Sequence, residues 1–295
     1  MNNSLSPEAF PYREIPSYLP SVSKEAESSK HPFSLEERNG ESFLASLKAY
    51  GLKGEGRRIL EYLENHSSRS LMRYVERYGV ENSAGMLVFY PGTDEERIMN
   101  DVDFDLALKN SAEKAISFFR HSYEDKIGPT IEEWAEREKW KGIISESGVN
   151  YMDRKYLSRA SLESMWVDYD MVFPTTLANI LAKEYNLSAY YFSQWFGAIA
   201  YLESMCKSDR KVLDHIYRDP LEIPESLKEA MPDWLESGNM AGNIILAIDY
   251  LNKVEEPHLD FSLRNEAFSL LSKYSVDPFR IGFPRPSLKG KANIV

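Results

Sequence analysis

Residues 86–108 read MLVFYPGTDEERIMNDVDFDLAL, and the reading of this stretch decides the fold. Met86–Tyr90 is a short apolar run of the kind a buried strand shows, and Pro91-Gly92 closes it as a turn. Beyond the turn, Asp101, Asp103 and Asp105 stand at alternate positions. On a strand all three would project from one face, with Val102, Phe104 and Leu106 on the other. On a helix they would scatter, because residues two apart do not share a face. The first reading makes the segment a site. The second makes it a solvated acidic turn running into a helix expected from Ser111 to Lys126.

Outward from this stretch the pattern is helical. Apolar spacing predicts helices over 41–50, 55–78 (with a break at Ser67-Ser68), 155–169, 175–185, 187–206, 209–218, 240–253 and 261–274. Gly128-Pro129 is expected to end the helix at 111–126, and Thr130 with Glu133 has capping-box spacing for a separate helix at 131–141. Residues 219–238 carry Pro220, Pro224 and Pro232 and are expected to be irregular. The fold class is therefore mainly α: an irregular multi-helix bundle with at most a small β element near residues 85–108, flanked by extended N- and C-terminal arms. The N-terminal arm is residues 1–40, with Pro7, Pro11, Pro16, Pro20 and Pro32. The helical body is 41–276, and the loop at 142–151 is its best point of subdivision. Residues 277–295 form a basic C-terminal arm with Arg280, Arg285, Lys289 and Lys291.

Composition bounds the rest. With 295 residues and 43% hydrophobic content, the chain can bury a substantial core. A net charge of −11 repels phosphate backbones and disfavours broad nucleic-acid binding. Arg57, Arg58, Arg69, Arg73 and Arg77 form one candidate basic face, expected to pair with Glu61, Glu64 and Glu76. A single cysteine, Cys206, excludes an intramolecular disulfide and a thiolate-built zinc site. The N-terminal residues have no basic-then-apolar leader pattern, and no apolar run has membrane length, so a cytoplasmic protein is expected.

Several chemical constellations can be weighed on spacing. None of the five histidines fits the H-E-x-x-H pattern. There is no G-x-S-x-G, Walker A or G-x-G-x-x-G motif. Cys206 and His215 form a thiol–imidazole pair by count only. Trp166, Tyr169, Phe173, Tyr190, Tyr191, Trp195, Phe196 and Tyr201 form the densest aromatic group, read as core ahead of a ligand pocket.

The aspartate segment resembles the nucleotidyltransferase superfamily, in which a strand, a Gly-Ser or Gly-Thr turn and a short helix precede a strand bearing Asp-x-Asp. Met86–Tyr90, Gly92-Thr93, Asp94–Met99 and Asp101-Val102-Asp103 would take those parts. The resemblance implies Mg²⁺ held by Asp101 and Asp103, with Asp105 as a further catalytic candidate, and triphosphate contact by Gly92 and Thr93. It covers about 20 of the 295 residues, and carboxylates at alternate positions of a strand end can jointly hold a divalent cation. Pro91 precedes the turn, and no later strand offers a third carboxylate. The leading expectation is instead a non-catalytic helical protein acting by protein–protein association or self-assembly through residues 1–40 and 277–295, with no membrane partner and no cofactor. The Mg²⁺-dependent nucleotidyltransferase is the alternative.

Overall fold

A computed structural model describes residues 40–81, 83, 87–137, 160–235 and 238–284. Residues 1–39, 82, 84–86, 138–159 (with the expected subdivision at 142–151), 236–237 and 285–295 lie outside these. Within them the fold is mainly helical with a two-stranded sheet. The elements are α1 (Gly40–Ala49), α2 (Arg57–Leu63), α3 (Ser68–Val75), β1 (Gly79–Glu81), β2 (Leu87–Phe89) and α4 (Glu95–Arg137). After α4 come α5 (Leu162–Val167), α6 (Thr175–Glu184), α7 (Ala189–Cys206), α8 (Ala241–Glu255) and α9 (Leu263–Lys273).

The longest element corrects two expectations. α4 starts at Glu95, so Asp101, Asp103 and Asp105 lie on a helix and not on a strand or an acidic turn. It also runs through Pro129 to Arg137. Proline in a helix interior loses a backbone bond and strains the preceding turn, at a cost of about 3 kcal/mol. The helix persists because Tyr123, Ile127, Ile131 and Trp134 keep one buried stripe across the proline. Burying each such side chain is worth about 1.5–3 kcal/mol, and Pro129 itself is exposed. At 43 residues, α4 is roughly 65 Å long.

That length lets one helix serve two hydrophobic cores. Ile98, Met99 and Val102 join a smaller core built by Phe43, Leu47, Ile59, Leu71, Val75, Leu87 and Phe89. From Phe104 onward α4 faces a larger core with α5–α9. The division between cores falls within the aspartate segment. In the larger core Phe119, Tyr123, Tyr169, Tyr185, Phe192 and Phe196 pack ring against ring, with centroids 4.8–6.3 Å apart. The aromatic group centred on Tyr169, Trp195 and Phe196 is therefore core, while Tyr190 lies at the surface and donates to Glu222 at 2.9 Å.

β1 and β2 pair antiparallel in the register Gly79↔Phe89, Val80↔Val88 and Glu81↔Leu87. Leu87 and Phe89 point inward and Val88 outward, as strand alternation requires. Residues 209–218, expected to be helical, are irregular. Their backbone bonds go elsewhere: Val212 and Leu213 donate to Asp105, and Asp214, at φ 61°, donates to the Arg280 carbonyl at 2.9 Å.

Residues 277–284, expected to open the basic arm, are docked on the body. Asp277 caps a short 3-10 turn at Pro278–Ile281, and Ile281 and Phe283 are fully buried. Phe283 stacks on Phe268 of α9 at 4.8 Å. The start of α8 fits closely against this strap. A Cβ on Gly242 would stand 2.9 Å from the Gly282 carbonyl, so only glycine allows the approach.

Candidate functional site

Successive residues of a helix turn by about 100°, which separates the three aspartates. Asp101 and Asp105, four apart, face inward at 3% and 0% exposure. Asp103 faces the other way and accepts from Arg58 Nη2 at 2.5 Å, half exposed.

Asp101 is gripped by Arg280, whose Nη1 and Nη2 donate to its two oxygens at 2.5 and 2.6 Å. The Tyr78 hydroxyl adds a third bond at 2.8 Å. Burial and the neighbouring Asp101 carboxylate push the Tyr78 phenol up to about 12. The same guanidinium reaches Asp214 through Nε at 3.0 Å and Nη2 at 2.8 Å. Arg77 of the 3-10 turn after α3 and Lys211 complete the network on Asp214, at 2.7 and 3.3 Å. Burial works to raise the Asp214 pKa, but Arg280, Lys211 and Arg77 outweigh it and hold the carboxyl below the usual range.

Asp105 ties the two cores together. Its Oδ1 accepts from the backbone amides of Val212 and Leu213 at 2.9 and 2.6 Å, and its Oδ2 from the Tyr74 hydroxyl at 2.8 Å. Lys109, one turn on, lies at 3.4 Å. Full burial raises the Asp105 pKa despite Lys109 and these hydrogen bonds. Burial and Asp105 likewise raise that of Tyr74.

The turn residues also hold structure. Gly92, at φ 85°, makes a turn that a residue with a Cβ adopts only with strain. Thr93 is buried, with its hydroxyl donating to the Tyr78 carbonyl at 3.3 Å. Sequence reading missed Glu95, which accepts from the backbone amides of Gly56, Arg58 and Ile59 at 2.6, 2.8 and 3.3 Å. It caps α2, whose own cap residue is Gly56, without a side chain. Asp249 does the same for α9, accepting from Ser262 Oγ, Leu263 N and Arg264 N at 2.7, 2.7 and 2.9 Å. No spacing rule finds either, because their partners are distant in the chain.

Three arginines of the expected basic face, Arg58, Arg73 and Arg77, reach other elements. Arg57 pairs with Glu61 as expected. Arg58, however, goes to Asp103, Arg73 donates to the Asp209 carbonyl, and Arg77 goes to Asp214. Cys206 is half-buried, and burial lifts its thiol to about 12, so it carries little thiolate at neutral pH. His215 faces the Tyr201 hydroxyl at 3.3 Å.

These contacts decide what the aspartates can do. A divalent hard cation needs free carboxylate oxygens converging from one side. Here both Asp101 oxygens face one guanidinium, those of Asp105 face two amides, a phenol and an ammonium, and Asp103 points away. The three do not fit a two-ion Mg²⁺ centre, and Gly92 and Thr93 do not complete one. Among the described residues, no group of three or more His, Cys, Asp or Glu gathers as a metal site.

A concavity of about 500 Å³ lies between α8, the N-terminus of α9 and residues 230–233. Met231, Pro232, Leu246 and Tyr250 give it apolar walls, and Lys253 and Arg264 stand among its polar residues. Arg264 is committed to Asp233 at 2.6 Å, and Asp249 to its capping bonds.

No protein-family model matches the chain, and neither does any curated protein or solved structure. Among the described residues no helix is long and apolar enough to cross a membrane.

Proposed function

We propose that this chain is a non-catalytic helical protein that works by self-association, with residues 1–40 and the C-terminal residues beyond 284 making the contacts between copies. One observation carries the choice over an enzyme. The chain's best chemical candidates, Asp101 and Asp105, are anchors that join two cores, each held by partners from elements distant in sequence. Proline-rich segments at a chain end suit exchange between neighbours, a low-cost route to assembly.

Light scattering over a concentration series tests this. The full chain is expected above the mass of one copy, and a chain shortened to residues 39–284 at that mass. The shortening stops at 284 because Arg280, Ile281 and Phe283 are part of the body. Strictly monomeric behaviour of the full chain at all concentrations rejects the reading. Mg²⁺ with a nucleoside triphosphate is expected to leave the melting temperature unchanged. Binding to the folded state would raise it and return the nucleotidyltransferase to first place.

A further inference from the structure

The β hairpin carries an apolar face turned to solvent. Val80 and Val88 are a cross-strand pair, exposed at 49% and 43%, and Tyr90, two residues past Val88, is exposed at 49%. Directly paired residues and those two apart share a face of a sheet, so the three side chains form one patch. Tyr90 is fixed there by its amide, which donates to the Tyr78 carbonyl at 2.8 Å.

The size of the patch limits what can cover it. A stable face-to-face contact between two folded copies buries about 800 Å² on each. Three side chains offer a few hundred Å² at most, on the order of an ordinary surface patch. A short segment already tethered to the chain has a lower requirement, because a local concentration of order millimolar lets a weak contact be populated.

One segment of this chain has the matching chemistry. Residues 7–20, PEAFPYREIPSYLP, interleave Pro7, Pro11, Pro16 and Pro20 with Phe10, Tyr12, Ile15, Tyr18 and Leu19. Proline-rich segments lose little backbone freedom on docking and favour aromatic and aliphatic faces. The segment also reaches. The Tyr50 carbonyl, just past α1, accepts from the Phe89 amide of β2 at 3.3 Å, so α1 ends at the hairpin. Gly40 is ten residues back along α1, roughly 15 Å, and residues 21–39 span up to about 60 Å when extended. Arg97, over the Tyr78 ring at 5.8 Å, makes no ion pair among the described residues and can meet Glu8 or Glu14 of the segment.

We infer that the Val80, Val88 and Tyr90 face of the hairpin is the docking surface for residues 7–20 of this chain. The inference rests on the association reading in one respect, the identity of the copy that supplies the segment.

The test uses the full-length chain with the photoreactive residue p-benzoylphenylalanine in place of Val88. Isotopically light and heavy chains are mixed, irradiated and mapped by mass spectrometry. Cross-links are expected in residues 7–20, about tenfold above those from the same probe at exposed Met171, given the tethered concentration. Phe10→Asp with Tyr12→Asp should remove them. Cross-links to other segments, or none, overturn the inference. Light–heavy pairing separates the two readings. Cross-links to 7–20 only within single chains, in a monomeric sample, keep the docking surface and reject self-association. An associating sample whose cross-links avoid 7–20 does the reverse.

Discussion

Arg280 and Asp101, 179 positions apart, meet through two parallel hydrogen bonds of 2.5 and 2.6 Å in the seam between the cores. Both side chains are almost fully withdrawn from water. The planar guanidinium fork matches the carboxylate, while Nε, together with the shared Nη2, serves Asp214. The C-terminal strap thereby fastens the long helix to the 212–214 turn.

Removing one partner of a buried pair leaves the other charge uncompensated, at a cost of about 3–5 kcal/mol. Arg280→Ala is expected to lower unfolding free energy by that amount, read as a fall in urea midpoint. Arg280→Lys keeps the charge but loses the fork and should fall between. An Arg280→Ala chain as stable as the parent would show that the strap is not held here.

The aspartates should separate sharply. Asp105→Ala strands two backbone amides, the Tyr74 hydroxyl and buried Lys109, a loss of about 3–5 kcal/mol. Asp103→Ala breaks only a half-exposed pair with Arg58 and should change stability by less than about 1 kcal/mol. A catalytic trio would give the opposite ranking in an activity assay, with Asp103 essential.

Pro129→Ala is expected to stabilise the protein. The position is exposed and mid-helix, so alanine restores a backbone bond and relieves the turn, worth up to about 3 kcal/mol. Thermal unfolding measures it, and a lower melting temperature would mean that the helix is bent at Pro129 for a packing reason.

Gly242→Ala should destabilise by about 1–3 kcal/mol, the usual range for overpacking. The new methyl would press on the Gly282 backbone, which cannot rotate away as a side chain can. Hydrogen exchange should rise first in residues 277–284.

Burial, with Arg210 nearby, lowers the His215 pKa from its usual 6.5. The unfolded chain then binds the proton more readily than the folded one. Stability from this group is complete above pH 6.5 and is lost as pH falls towards the depressed folded value. Asp105 has the reverse sign, since its raised pKa costs stability as pH rises above its ordinary value of 3.8. The two are separated by subtracting urea unfolding curves of His215→Phe from those of the parent between pH 7 and 5. The difference should shrink as pH falls.

Much of the architecture could be read from local pattern. The helices at 175–185, 187–206, 240–253 and 261–274 were expected within a few residues of α6 to α9, because their buried stripes repeat at helical spacing. The break at Ser67 is a side-chain cap, its hydroxyl accepting from the Ser70 amide. β2 lies within the small β element expected near residues 85–108, but its partner β1, Gly79–Glu81, lies before it, just past the helix expected to end at 78. Pro129 misled, because local propensity is weighed there against a buried stripe that only the assembled core supplies.

What the sequence by itself determined is the periodicity: where helices lie, which faces are apolar, and that three carboxylates stand at alternate positions between Asp101 and Asp105. Whether those carboxylates face one way was left open, since a strand and a helix place alternate residues differently. Tertiary structure decided it. The helix turned Asp101 and Asp105 inward and Asp103 outward, and Arg280, Val212 and Leu213, all more than 100 positions away, took up the buried oxygens. Such partners cannot be inferred from spacing, because a buried charge is satisfied by whatever the fold brings beside it.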